Sequence, residues 1–137
     1  MFPKVSIIVP VYNLENRIEF TLNSILSQSF SDYEIIAIND FSSDRSAEVI
    51  KNFFLRNPTV RYKLLEHDRN KGVSAARNNG IKAASGEYVI FWDGDDLARK
   101  DFVSDLYLKA VEDGKFYDIV MAGHTERNES KGTEKNY

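Results

Sequence analysis

The stretch Glu87-Tyr88-Val89-Ile90-Phe91-Trp92-Asp93-Gly94-Asp95-Asp96 decides the fold. Its apolar run, residues 88–92, is too short for a helix, is rich in β-branched and aromatic side chains, and stops at three carboxylates. A strand of a parallel sheet, covered on both faces and running out into a loop, has that composition. In an open α/β sheet, ligands sit just beyond the carboxyl ends of the strands, so Asp93, Asp95 and Asp96 stand where chemistry is expected.

Outward from this strand the same alternation repeats. Val5-Ser6-Ile7-Ile8-Val9-Pro10-Val11 is a β-branched run of the kind buried on both faces. Asn13 is a candidate cap, and Ile18, Leu22, Ile25 and Leu26 follow at helical spacing up to Gln28. Residues 33–38 predict a second strand ending at Asn39-Asp40, and Ser43 or Asp44 opens a second helix with Val49, Ile50, Phe53 and Phe54 inward and Asn57-Pro58 as its stop. Residues 60–65 predict a more polar strand near a sheet edge, because Arg61 and Lys63 alternate with apolar positions. A helix over 74–84, closed by Ser85-Gly86, leads into the 88–92 strand. Beyond it, residues 100–112 predict a helix with Phe102, Val103, Leu106 and Val111 inward, and 118–122 predict a fifth strand. Alternating strands and helices mean a mainly parallel sheet flanked by helices with right-handed crossovers.

The bulk properties agree and remove several function classes. The chain has 137 residues, a single domain's length, with 42% hydrophobic and 12% aromatic residues to build a core. A net charge of −3, from 18 basic and 21 acidic residues, gives no field for drawing in nucleic acid. Without cysteine, disulfides, thiolate catalysis and Cys-ligated zinc are excluded, and a reducing compartment is permitted. The apolar start is interrupted by Pro10 and lacks a small-residue cleavage pattern, so it reads as a strand and not as a signal peptide. No window reaches the ~18 apolar residues of a membrane span. Residues 125–137 are nearly all polar or charged and read as a flexible tail or as the start of a part that packs elsewhere.

Several residues can carry chemistry, and each also has a plainer reading. Asp93 and Asp95, two apart, point to one side of an extended segment, and Gly94 lets a ligand approach the backbone. Such a pair suits a hard divalent cation whose shell is completed by phosphate oxygens; alternatively Asp-Gly is a turn and Asp96 a helix cap. Asp40, at another strand end, can accept hydrogen bonds from a base or a ribose hydroxyl, or simply form a turn. Tyr12 offers a flat face to a nucleobase, or packs. Arg77 shares a helix face with Val73 and Ile81 and so wants an anion, either a structural carboxylate or a ligand phosphate. Asn70 and Lys71 in the preceding loop can reach a diphosphate. There is no Gly-x-Gly-x-x-Gly after a strand and no Gly-x-x-x-x-Gly-Lys loop. His67 and His124 are isolated in the sequence and receive no role.

Taken together, Val5 to Asn13, Ser24-Ile25-Leu26-Ser27-Gln28-Ser29-Phe30, Glu34 to Asp44, Asn70 to Asn78 and Gly86 to Asp96 resemble, in order, the nucleotide-sugar half of a family 2 glycosyltransferase with the Rossmann-like GT-A fold. The resemblance covers about residues 4–123. It implies that Pro10, Tyr12 and Asp40 cradle the base of a UDP-sugar, and that Asn70, Lys71 and Arg77 approach the ribose and diphosphate. Asp93 and Asp95, with Asp96 beside them, would hold Mn²⁺ or Mg²⁺ on the diphosphate. A hexosyltransferase-like enzyme of this kind transfers the sugar with inversion to a hydroxyl of a saccharide or lipid-linked acceptor, as in surface polysaccharide or glycolipid assembly. The cytoplasm, or the cytoplasmic face of a membrane, is the expected location.

The family also has an acceptor half with a carboxylate base well beyond the Asp-x-Asp, whereas here only residues 97–137 follow. Glu126, Glu129 and Glu134 in the tail have no scaffold, so no general base is assigned. The expected organisation is a donor-binding domain over residues 1–124 and a polar tail over 125–137. A non-catalytic nucleotide-binding or interaction module of the same fold is the alternative. A phosphoacceptor receiver domain would need a lysine after the fifth strand, which Ala122-Gly123-His124 does not supply.

Overall fold

The computed structural model describes residues 1–123 together with the backbone of residues 125–128 and 133–136. His124 and Glu129, and the side chains of Glu126 and Glu134, lie outside the described residues. In chain order the elements are β1 (Val5–Val11), α1 (Ile18–Leu26), β2 (Tyr33–Asn39), α2 (Ser46–Arg56), β3 (Tyr62–Glu66), α3 (Val73–Ala83), β4 (Tyr88–Phe91) and α4 (Phe102–Ala110). A single 3₁₀ turn, Glu112–Gly114, follows α4. The backbones of β5 (Thr125–Asn128) and β6 (Thr133–Asn136) pair antiparallel.

The four main strands form one all-parallel sheet in the order β3-β2-β1-β4. From β1 the chain steps outward twice through α1 and α2, then returns across the sheet through α3 to place β4 on the other side of β1. Right-handed crossovers in opposite directions put the connecting helices on opposite faces, and the core divides accordingly. Val5, Ile7, Val9 and Val11 of β1 pack with Ile18, Leu22 and Ile25 of α1, with Ile50, Phe53 and Phe54 of α2, and with Val103 of α4. Ile8, Ile36 and Ile38 face Ala76 of α3. That helix lies so close that a Cβ on Gly80 would come within 2.4 Å of Ile8 Cγ2.

The expected polar strand is indeed an edge, β3, with residues of intermediate or full exposure. Several expectations change. β4 is not buried on both faces: it is the opposite edge, and Val89 and Phe91 are 36% and 48% exposed because α3 covers β1 and β2 and stops short of it. Asn13 does not cap α1, which starts at Ile18 with no side-chain cap; Asn13 instead takes a left-handed turn at φ 52°. Asp44 does serve the start of α2, accepting the Ser46 N–H at 2.9 Å. Residues 118–122 form no strand: Ile119 and Met121 are exposed, and this segment and β4 line a cleft of about 1100 Å³ with no ladder between them. A β-branched run has strand propensity, but a strand exists only where another edge receives its hydrogen bonds. Among the described residues no helix is long and apolar enough to cross a membrane.

Candidate functional site

All four strands deliver their carboxyl ends to one side of the sheet. Because the chain steps away from β1 in both directions, the crevice beyond β1 and β4 is the topological switch point where α/β sheets take ligands. Pro10 is tolerated in the central strand for a local reason. β4 pairs with β1 only as far as Ile8↔Phe91, so at Pro10 the ladder on that side has ended and no N–H is needed.

The acidic stretch is a turn and not an extended segment. The Asp96 N–H donates to the Asp93 carbonyl at 3.0 Å, so Asp93 and Asp95 are not alternate positions of one extended segment. Gly94 is buried, and a Cβ there would meet Leu14 Cδ1 at 2.7 Å and the Pro10 carbonyl at 2.8 Å. Its missing side chain lets the turn press against the end of β1; the close approach is by protein. Asp96 caps no helix, since α4 begins six residues later with no side-chain cap. Asp93 and Asp95 are exposed.

What fixes this turn is α1. Thr21 Oγ1 donates to the Gly94 carbonyl at 2.9 Å, and Ser24 Oγ accepts the Ala98 N–H at 3.0 Å. Gln28 donates to the Arg99 carbonyl at 2.8 Å and accepts the Val103 N–H at 3.0 Å. Thr21 and Ser24 lie on α1 and Gln28 two residues past its end, spaced by three and four residues, and together they hold the segment from Gly94 to Val103 along its length. Polar residues at this spacing, Thr21, Ser24 and Gln28, were the available signal in the sequence.

Arg77 is partly buried and pairs with Asp93, Nη2 to Oδ1 at 2.6 Å, with its guanidinium carbon 5.7 Å from the centre of the Phe91 ring. Its anion here is a carboxylate. The helix face it shares is not a buried one, because Val73 and Ile81 are 51% and 48% exposed and α3 buries Ala76 and Gly80 instead. Arg77 is sheltered by leaning over β4. Its Nε is buried without a hydrogen-bond partner, an unused donor beside the acidic turn.

Asp40 is 3% exposed, and its oxygens are engaged. Oδ1 accepts the Lys71 N–H at 2.8 Å and lies 2.6 Å from His67 Nδ1, while Oδ2 accepts the Gly72 N–H at 2.8 Å. Burial pushes this carboxyl up, but the two backbone N–H groups and His67 outweigh it and hold Asp40 below the usual carboxylate range. An ionised carboxylate can only accept, so Nδ1 of His67 donates to it, and Nε2 accepts from the Asn79 amide, 2.8 Å away. Asp40 thus clamps the 70–72 loop at the start of α3, where Gly72 takes φ 85°. His67 is the residue that sequence reasoning missed; its only signal was its place just past the end of β3. Lys71 directs its ammonium to Asp68 at 2.8 Å, and Asn70 is exposed. Tyr12 is 50% exposed at the end of β1.

The donor set for a cation is carboxylate oxygen, the chemistry that suits Mg²⁺ or Mn²⁺. Among the described residues no three Asp, Glu, His or Cys side chains converge as a cage. The fit is therefore to a cation that takes one or two protein oxygens and completes its shell from ligand and water.

The parallel sheet between helix layers, with the acidic turn at its switch point, is shared with solved glycosyltransferases, and this likeness places the domain among the GT-A folds. More specifically, the chain belongs to glycosyl transferase family 2, whose family model matches residues 6–136. It is 42% identical over 129 residues to glycosyltransferase GlyA of Streptococcus pneumoniae, covering 94% of this chain and 18% of that protein. It is 41% identical over 133 residues to the uncharacterized glycosyltransferase EpsJ of Bacillus subtilis, covering 97% and 37%. The chain thus spans well under half the length of these relatives. Among solved structures, S. aureus TarS 1-349 in complex with UDP superposes with a TM-score of 0.72 at 33% identity, over 80% of this chain and 32% of that one. The mannosyltransferase PcManGT from Pyrobaculum calidifontis, in complex with GDP-Man and Mn²⁺, gives 0.76 at 27% identity, over 82% and 33%.

Proposed function

We propose that this domain binds a nucleoside-diphosphate sugar, a UDP-sugar in the first instance, and serves as the donor half of an inverting glycosyl transfer to an acceptor hydroxyl. The observation that carries the reading is Arg77: a guanidinium beside the acidic turn, paired with Asp93 through one nitrogen and holding a buried, unused Nε–H. A diphosphate entering the crevice would take up that donor, and Arg77 would exchange part of its bond to Asp93 for phosphate oxygens.

In this reading Pro10 and Tyr12 line the base, and Asp40 holds the 70–72 loop against it, with one lone pair of Oδ2 left for a base N–H or ribose hydroxyl. Asn70, Lys71 and Arg77 serve the ribose and diphosphate. Asp93 and Asp95, with Asp96 behind them, face the cation. Mn²⁺ or Mg²⁺ bound there would supply Lewis-acid neutralisation of the departing nucleoside diphosphate. As the acceptor oxygen bonds to the anomeric carbon from the opposite face, the bond to the diphosphate breaks, and the acceptor proton passes to a base that is assigned to no residue of this chain. Holding the donor rigidly is what these residues contribute. The complexes of TarS with UDP and of PcManGT with GDP-Man and Mn²⁺ support the ligand class.

The test is calorimetry on two variants. Asp95→Asn is expected to weaken UDP binding in the presence of Mn²⁺ about tenfold and leave uridine within about twofold; an equal loss for both ligands contradicts the metal role. Arg77→Ala is expected to weaken UDP and spare uridine, and unchanged UDP affinity contradicts the diphosphate role.

A further inference from the structure

Two residues of the described chain that end a main strand and turn out of it have left-handed backbones. Asn13 follows β1 at φ 52°, and Phe41 follows β2 at φ 60°. Asparagine tolerates that region, but for a bulky residue it is a strained conformation that surrounding structure must enforce. The enforcement is visible. Ser42 Oγ accepts the Asn13 N–H at 3.0 Å, Asn13 Oδ1 accepts the Ser43 N–H at 2.8 Å, and Asn39 Oδ1 accepts the Ser42 N–H at 3.1 Å. The loops after β1 and β2 are stapled to one another with Phe41 at the tip.

Strain held this firmly gains no core packing in return. Phe41 is 56% exposed, Tyr12 on the neighbouring loop is 50% exposed, and among the described residues neither ring packs against another aromatic ring. The two come from adjacent strands in register, Val11 beside Asn39, with the Asp40 N–H donating to the Val11 carbonyl at 2.8 Å. Tyr12 and Phe41 thus stand exposed on two loops that are bonded to one another, with Phe41 next in sequence to the buried Asp40. Hydrophobic rings presented to water on fixed, strained supports suit a flat aromatic ligand, since every nucleobase has a π-face.

We propose that Phe41 is a nucleobase-contacting residue, which with Tyr12 forms a two-ring face for the base of the donor. This rests on the nucleotide-sugar reading above. Phe41 then contributes to affinity for the base while contributing nothing to the stability of the fold, a combination that a merely structural residue does not show.

The experiment compares the parent chain with Phe41→Gly and Phe41→Tyr, measuring binding of UDP and of inorganic pyrophosphate by calorimetry with Mn²⁺ present, alongside the melting temperature. Glycine relieves the left-handed backbone, so Phe41→Gly is expected to melt no lower than the parent, to bind UDP about tenfold more weakly, and to bind pyrophosphate unchanged. Phe41→Tyr is expected to bind UDP like the parent. UDP affinity undiminished in Phe41→Gly overturns the inference alone, as does an equal loss for pyrophosphate or a melting temperature that falls together with affinity. Failure of the parent chain itself to bind UDP overturns the nucleotide-sugar reading and this inference with it.

Discussion

At the scale of single residues, the site is held by side chains whose importance no motif announces. His67 looked isolated in sequence because its partners, Asp40 and Asn79, are 27 and 12 positions away. Only the parallel register of β2 and β3, Asn39 beside Glu66, brings the two strand ends together. Arg77 was legible as an arginine in need of an anion, and its partner Asp93 was already singled out for another reason; that the two would meet depended on where α3 crosses the sheet. Replacing His67 by Ala leaves the Asn79 amide without its acceptor and Asp40 without one of its donors. Losing such buried partners costs about 1–3 kcal/mol, and the expected result is a lower denaturation midpoint at unchanged m-value. His67→Asn keeps an N–H near the Nδ1 position and is expected to recover most of that loss; a variant no more stable than His67→Ala would show that packing, and not the bond to Asp40, was what mattered.

At the scale of elements, strand and helix types were legible because period-2 and period-3.6 patterns are local. The 118–122 run misled because whether a strand forms depends on a partner edge, and β4 misled because its exposed face depends on how far α3 reaches. The role of α1 and the turn that ends it was equally hidden: the apolar stripe of Ile18, Leu22 and Ile25 was plain, but the polar residues Thr21, Ser24 and Gln28 acquire meaning only against residues 94–103. Gln28→Ala leaves the Arg99 carbonyl and the Val103 N–H without their bonds to Gln28, and is expected to destabilise by about 1–3 kcal/mol and to speed amide exchange at Val103; exchange as slow as in the parent would contradict the pinning role. Gly86→Ala is expected to be destabilising by about 1–3 kcal/mol, since the new Cβ would meet the Ser6 nitrogen at 2.6 Å and the Val5 carbonyl carbon at 2.8 Å. Chemical denaturation reads that loss, and an unaffected midpoint would mean that the α3–β4 connection yields more easily than its packing indicates.

For the whole molecule, the sheet has a structural end, where its strands begin, and a carboxyl end, where they stop. At the structural end Glu34, 4% exposed, accepts from the Ser6 and Ser85 hydroxyls and the Ser85 N–H, and pairs with Lys63. Burial raises this carboxyl, yet those hydrogen bonds bring it down from 4.5 to about 2. A folded value below the unfolded one means that the stabilisation is complete above about pH 5 and is lost as the pH falls towards 2, with ~3 kcal/mol as its upper limit. The melting temperature of the parent is expected to fall across that window, whereas Glu34→Gln should melt lower at pH 7 and lose less on acidification; parallel pH profiles would contradict the assignment. At the carboxyl end, Asp40 follows β2, the 93–96 turn follows β4, and Arg77 reaches that turn from α3, a convergence that parallel topology made legible even where individual bonds were not. The measurement that bears most directly on that convergence is calorimetric titration of the chain with UDP, with and without Mn²⁺. Binding that strengthens when Mn²⁺ is present is the expected result, and no heat at concentrations well above ~1 mM with Mn²⁺ in excess would contradict it.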